Sequence, residues 1–200
     1  MNSFKLGDVA SITTGLVVKR KVIPPGEEPH SIYSMLTLRS FDQDGWLNED
    51  GFDVFRSIEE IDSKYLTREG DVIIRLSAPN TAIAIDKLHE NILVPSLFVL
   101  IRISERGILS EYISLYLNSD KMKKNYIKES SGSAILTIKT SAFKDFILQL
   151  PDMNHQMKCI ELSILMKKEK RLLVELMEQN EKRNNALITK ITNGGLKDGN

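Results

Sequence analysis

The chain has 200 residues, 42% hydrophobic and 27% charged, which is room for one or two domains with a real core. Its 27 basic and 27 acidic side chains cancel, so no global positive field points at nucleic acid and any such contact must be local. A single cysteine, Cys159, excludes an internal disulfide, and His30, His89 and His155 lack metal-ligand spacing.

The opening residues, Met1 to Asp8, contain no apolar signal core. Val17-Val18 and Val22-Ile23 precede Pro24-Pro25-Gly26, a firm loop. Ile32 to Leu38 reads as a strand, and Asp44-Gly45 and Asp50-Gly51 are turn dipeptides. Glu69-Gly70-Asp71 turns into a strand from Val72 to Leu76. Ser77 to Thr81 breaks it, and Ala82 to Ile85 resumes it. The most apolar run, Ile92 to Ile103, is interrupted by Pro95, Ser96 and Arg102, so it does not span a membrane, and a cytoplasmic location is the default. Its second half, Leu97 to Ile103, is a further strand. Ile108 to Ile127 reads as one helix, with Tyr112, Leu115, Tyr116 and Met122 at helical spacing. Glu129 to Ser133 is a small-residue loop and Ala134 to Ile138 a short strand. Ser141 is placed to cap a short helix, and Phe146 to Leu150 is a last strand ahead of Pro151. These elements predict an α+β fold: a globular domain, residues 1–151, with a twisted, mostly antiparallel sheet.

The remainder is different in kind. From Asn154 to about Ile191 there is no Gly or Pro, and the run reads as one helix of roughly 55 Å at 1.5 Å per residue. A 150-residue domain is only about 30 Å across, so part of such a helix needs a partner. Cys159, Met166, Leu173, Asn180 and Leu187 form a seven-residue row, flanked by Leu162, Leu165, Leu172, Leu176 and Met177. A heptad row with one polar member is a coiled-coil signal, so residues 152–192 are assigned as a dimerisation and spacer helix. Asn180 either sets register in a helix pair or faces water. Asn193-Gly194-Gly195 stops the helix, and residues 193–200 read as a disordered tail.

Catalytic motifs are missing. The chain has no glycine-rich phosphate loop, no Gly-x-Ser-x-Gly elbow and no Asn/Asp-Pro-Pro-aromatic segment. Asp42-x-Asp44-Gly45 has its Gly too early for a calcium loop and reads as a turn. Asp42, Asp44, Glu49, Asp50, Asp53, Glu59, Glu60 and Asp62 make a solvated acidic face, one expected to point away from phosphates.

Two basic clusters are candidates for phosphate contact. Lys19-Arg20-Lys21 lies beside Thr13-Thr14-Gly15. Lys121, Lys123, Lys124 and Lys128 surround Tyr126, with Ser131, Ser133 and Lys139 close behind. Lysines, hydroxyls and loop amides are the groups that hold phosphates, although a lysine cluster is by itself usually a solvated face.

The order of motifs adds to this. Lys5-Leu-Gly-Asp-Val-Ala-Ser-Ile-Thr-Thr-Gly15 opens the domain and Leu66-Thr-Arg-Glu-Gly-Asp-Val-Ile-Ile74 sits in its middle. Ser130-Ser-Gly-Ser-Ala-Ile-Leu-Thr-Ile138 follows the lysine-rich helix, and Phe146-Ile-Leu-Gln-Leu-Pro151 leads to His155-Gln156 and the long helix. Over residues 4–192 this series resembles the specificity subunit of type I restriction-modification systems. Members commonly carry Pro-Pro before the helix and Glu-Gln at its start, where this chain has Leu150-Pro151-Asp152 and His155-Gln156. The usual subunit has two recognition domains and two such helices, so this chain resembles a half-subunit.

The resemblance implies a non-catalytic subunit without a cofactor of its own, reading double-stranded DNA. It would direct a methyltransferase subunit, which modifies adenine with S-adenosylmethionine, and a motor-nuclease restriction subunit, to which ATP and Mg would belong. Two copies with antiparallel helices would read a bipartite site. The DNA-facing loops implied are those carrying Thr13, Thr14, Lys19, Arg20 and Lys21; Ser77, Asn80 and Thr81; and Lys121, Lys123, Lys124, Tyr126, Lys128, Ser131, Ser133 and Lys139. The helix contacts implied are Leu162, Leu165, Met166, Leu172, Leu173, Leu176, Asn180 and Leu187. The competing reading is an adaptor that uses the long helix to bind protein and has no DNA role.

Overall fold

The computed structural model describes residues 2–42, 45–130 and 137–192. The chain divides into two compact units, Met1–Ile160 and Glu161–Asn200. The first unit is α+β. It contains strands β1 (Asn2–Lys5), β2 (Ala10–Thr14), β3 (Ser31–Met35), β4 (Asp53–Ser57), β5 (Asp71–Arg75), β6 (Ala82–Ala84), β7 (Phe98–Ile103) and β8 (Ile147–Leu150). Its helices are the single turn α1 (Leu6–Val9), α2 (Ser110–Leu117) and α3 (Asp120–Ser130), and it includes the start of α4 (Met153–Thr192). Among the described residues no helix is long and apolar enough to cross a membrane.

Every strand pair is antiparallel, but the strands form three sheets where the sequence suggests one. A four-stranded sheet of order β2-β7-β5-β6 is the centre, and β1-β8 and β3-β4 are two-stranded. Side chains alternate between faces along a strand. Val72 and Ile74 of β5 join Val99 and Ile101 of β7 against Ile113, Leu117, Met122, Tyr126 and Phe143. Ile73 instead joins Phe98, Leu100, Ile83, Leu36 and Phe41 on the other face. Burial on both faces is why β5 and β7 read as continuous apolar runs.

Three local expectations are corrected. The helix expected from Ile108 to Ile127 is two helices, broken at Asn118-Ser119. Asn118 accepts from the Ala82 N–H at 2.8 Å and donates to the Ala82 carbonyl at 2.7 Å, tying the break to β6. The strand from Ile32 ends at Met35, because the Thr37 hydroxyl accepts the Arg39 N–H and starts a 3-10 turn over Leu38–Ser40. Ser141 lies inside a 3-10 turn, Thr140–Asp145, that begins after Lys139 with no side-chain cap.

The far end of β5 and β7 is locked by charge. Asp71 is 1% exposed, and Arg102 grips it with Nε and Nη2, both at 2.8 Å. Arg102 also donates to the Leu66 carbonyl. The hydrogen bond to Asp71 raises the Arg102 pKa, which keeps the guanidinium charged.

The residues from Asp152 to Gln156 at the start of α4 have a structural role. Asp152 caps the helix, taking the His155 N–H at 3.0 Å, and its other oxygen lies 2.6 Å from His155 Nδ1. These bonds, the backbone one first, lower the Asp152 pKa. Gln156 is 1% exposed. Its carbonyl accepts the Leu109 N–H at 3.0 Å, and its amide donates to the carbonyls of Gly107 and Pro151 at 3.0 and 3.1 Å. With Ile160 packed on the core, these bonds place the first two turns of α4 in the first unit. Gln156→Leu orphans three backbone groups, at about 1–3 kcal/mol for each that remains buried. We expect the thermal midpoint to drop by several degrees; an unchanged midpoint would contradict this role.

Candidate nucleic-acid interface

The strand order brings four distant segments to one end of the central sheet. Thr14 ends β2, Arg75 ends β5, Phe98 begins β7 and Ala82 begins β6. The loops that leave these points are tied together. Gly15 donates to the Phe98 carbonyl and Leu16 to the Val94 carbonyl. A Cβ on Gly15 would overlap the Pro95 carbonyl, so only glycine allows this approach. Ser77 bridges to Thr137, and the Ile138 N–H donates to the Leu76 carbonyl at 3.0 Å. The hydroxyls of Thr14 and Thr140 share a hydrogen bond of 2.7 Å.

Charge is distributed unevenly between the two ends of this sheet. Residues 9–26, 72–85, 91–104 and 137–144, described segments that contribute to this end, contain no Asp or Glu. They contain Lys19, Arg20, Lys21, Arg75 and Lys139, while Arg102 and Lys144 of the same segments lie toward the other end, Arg102 across from Asp71 and Lys144 against Gly7. The opposite end carries Asp71, Asp86, Glu69 and Glu105 on or beside its strand termini, mixed with Arg68, Lys87, Arg102 and Arg106. The described segments of this end thus supply cations, hydroxyls and loop amides but no carboxylate of their own, and the nearest carboxylate shown is Glu59, paired with Lys21. That combination suits a polyanion.

The expected contact residues are sorted by this geometry. Thr14 and Lys139 lie at the end just described, joined through the Thr14–Thr140 bond, with Thr13 beside them in β2. Lys19 and Arg20 are exposed in a 3-10 turn, Val18–Arg20, just beyond. Ser77 is half-buried on the bridging loop. Lys123, Lys124 and Lys128 are exposed on α3, and Lys121 lies over the Tyr116 ring, donating to its hydroxyl at 3.3 Å. Ser131 and Ser133 lie outside the described residues.

Four expectations are corrected. Tyr126 is 2% exposed, its hydroxyl donates to the Leu117 carbonyl, and its ring meets Phe143 and Phe146, so it cannot stack on a base. Thr81 is 8% exposed and its carbonyl holds the Arg75 N–H. Asn80 spends its amide N–H groups on the carbonyls of Arg75 and Leu76, which removes the donor an adenine edge requires. Lys21 pairs with Glu59, so the acidic segment meets the first basic cluster instead of facing away from it. Three more carboxylates of that segment are also engaged: Asp53 with Arg39, Glu49 with His89 and Asp62 with Lys64. Arg75, which sequence reasoning passed over, lies at the centre of the surface.

In the second unit, Leu162, Leu165, Met166, Leu172, Leu173, Leu176 and Leu187 are each more than half exposed, and Asn180 is half-buried. Their i, i+3, i+4 and i+7 spacing makes one apolar stripe along α4.

Residues 1–193 match the family described as type I restriction modification DNA specificity domain. The chain belongs to this family. Among solved structures it is similar to the HsdS subunit from Thermoanaerobacter tengcongensis, with 15% identity and a TM-score of 0.68, covering 93% of this chain and 46% of that one. It is also similar to a protein solved in work on complex assembly and conformational transition of the type I R-M system. There the identity is 14% and the TM-score 0.62, covering 94% of this chain and 45% of that one. These two likenesses establish a shared fold, and this specificity-domain chain spans about half the length of each. No curated protein sequence matches it.

Proposed function

We propose that this chain recognises a DNA sequence as the specificity component of a type I restriction-modification system. The observation that carries the reading is the end of the central sheet whose own described segments hold cations and hydroxyls but no carboxylate, in a chain that matches the DNA specificity family over residues 1–193. Lysines of that end and of α3 neutralise phosphates and set affinity, and the hydroxyls of Thr13, Thr14 and Ser77 are placed for base edges. The chain performs no chemistry and binds no cofactor; an adenine methyltransferase subunit and a motor-nuclease subunit supply S-adenosylmethionine, ATP and Mg.

Two copies joined through the stripe of α4 bring two recognition units to one duplex. Antiparallel helices related by a two-fold axis give identical, inverted half-sites with a fixed spacer. The same stripe favours the adaptor reading equally well, and DNA binding separates the two. Fluorescence anisotropy with a random-sequence duplex, with and without the methyltransferase, is expected to show binding that falls steeply between about 50 and 200 mM salt. No binding in either condition would select the adaptor.

A further inference from the structure

Two arginines occupy opposite ends of the β5–β7 pair on one face of the sheet. Arg102 lies directly across from Asp71 in the register, and Arg75 across from Phe98. The first has what a structural arginine requires: a carboxylate gripped bidentately and a backbone carbonyl. The second has neither. No ion pair among the described residues includes Arg75. Among the described residues its Nε is buried without a hydrogen-bond partner, and the one side-chain bond seen there, Nη2 to the Ala78 carbonyl, is long at 3.5 Å. Burial, uncompensated, pushes its pKa below the usual arginine value.

A buried donor without a partner works against folding, and native structures keep few of them. An apolar side chain would rest more comfortably beside Phe98. The position also lies at the centre of the end just described: β5 hands the chain from Arg75 to Leu76 and Ser77, which bind Ile138 and bridge to Thr137. The half-buried stem holds the guanidinium in place before any ligand arrives. A planar fork of donors fixed in this way matches paired acceptors, the O6/N7 edge of guanine or two phosphate oxygens.

We propose that Arg75 is a DNA-contacting residue whose guanidinium takes paired acceptors on the duplex, an inference that rests on the DNA reading above. The unpaired guanidinium is destabilising in the free protein and is satisfied on binding.

The test uses the full chain and three variants, Arg75→Met, Arg75→Lys and Arg75→Gln. Thermal midpoints are measured, together with affinities for a random-sequence duplex pool and for duplexes that the wild type selects from it. Arg75→Met is expected to melt at or above the wild-type temperature and to lose about tenfold or more in affinity for the selected duplexes. If the acceptor is a guanine edge, the loss is confined to the selected duplexes and Arg75→Lys does not restore it. If the acceptor is phosphate, both pools lose affinity, the salt slope drops by about one and Arg75→Lys restores most of the binding. Arg75→Gln, which keeps a polar tip without charge, is expected to behave as Arg75→Met on DNA. Unchanged affinity for both pools overturns the proposal, and so does a midpoint several degrees lower for Arg75→Met, the mark of a structural arginine. A wild type that binds no duplex overturns the DNA reading itself, and this proposal with it.

Discussion

Replacing Leu173 and Leu176 together with Asp is expected to convert a particle near twice 22.7 kDa into single chains of 22.7 kDa. The two leucines lie three residues apart on α4, 54% and 57% exposed. Burying each is worth about 1.5–3 kcal/mol. At about half exposure roughly half of that remains to be gained, so four such side chains across a two-fold interface contribute roughly 3–6 kcal/mol, and the rest of the stripe is needed against the estimated 4–15 kcal/mol cost of association. Two carboxylates in each helix reverse the sign, because an unpaired charge in an apolar seam costs more than the leucine contributes. The substitutions lie in the second unit, so the first should fold as before; a preserved melting transition confirms that. Light scattering at several concentrations reads the result. A double variant with the wild-type mass would remove this stripe from the interface.

The second large effect is expected on α3. Met122 and Tyr126 bury one side of this helix, while Lys123 and Lys124 stand exposed on it. Lys123 is 4.0 Å from Asp120, a weak surface pair whose loss matters little to stability. Alanine is the best helix former, so Lys123→Ala with Lys124→Ala leaves α3 intact. Each phosphate contact contributes about 0.9 to the slope of log affinity against log salt. If both lysines touch phosphate, the slope falls by about 1.8 and affinity by on the order of tenfold, equally for every sequence. An unchanged slope would remove α3 from the interface. A loss confined to one sequence would assign these lysines to base reading.

These expectations depend on features that were unequally visible in the sequence. The long helix was legible because a run without Gly or Pro and a seven-residue apolar row are local signals. So were β5 and β7, whose burial on both faces writes them as apolar runs. The strands β1, β2 and β4 were not, because Asn-Ser-Phe-Lys, Ala-Ser-Ile-Thr-Thr and Asp-Val-Phe-Arg-Ser are short and half polar. Their pairing rests on partners far away in sequence, Leu150 for Asn2 and Ile103 for Ala10. Asn118 looks neutral in a helix, and its bonds to Ala82 are tertiary.

Tyr126 was misread for a different reason. An aromatic among lysines suggests base stacking, yet its spacing from Met122 and Ser130 is that of one buried helical face. The candidate surface was half legible. The absence of carboxylates from residues 9–26, 72–85, 91–104 and 137–144 can be read from the sequence, but only the order β2-β7-β5-β6 and the bonds of Thr137 and Thr140 bring parts of those segments to one end. Arg75 was hidden in the same way. A strand-terminal arginine has no special pattern, and what distinguishes it is the carboxylate that Arg102 has and Arg75 lacks.

The most direct test of the account is selection of bound duplexes from a random-sequence pool by the purified chain with its methyltransferase partner, followed by sequencing. Two identical half-sites in inverted order with one fixed spacer are the predicted result, since they require both DNA recognition and two-fold pairing. A pool without enriched sequence would contradict it.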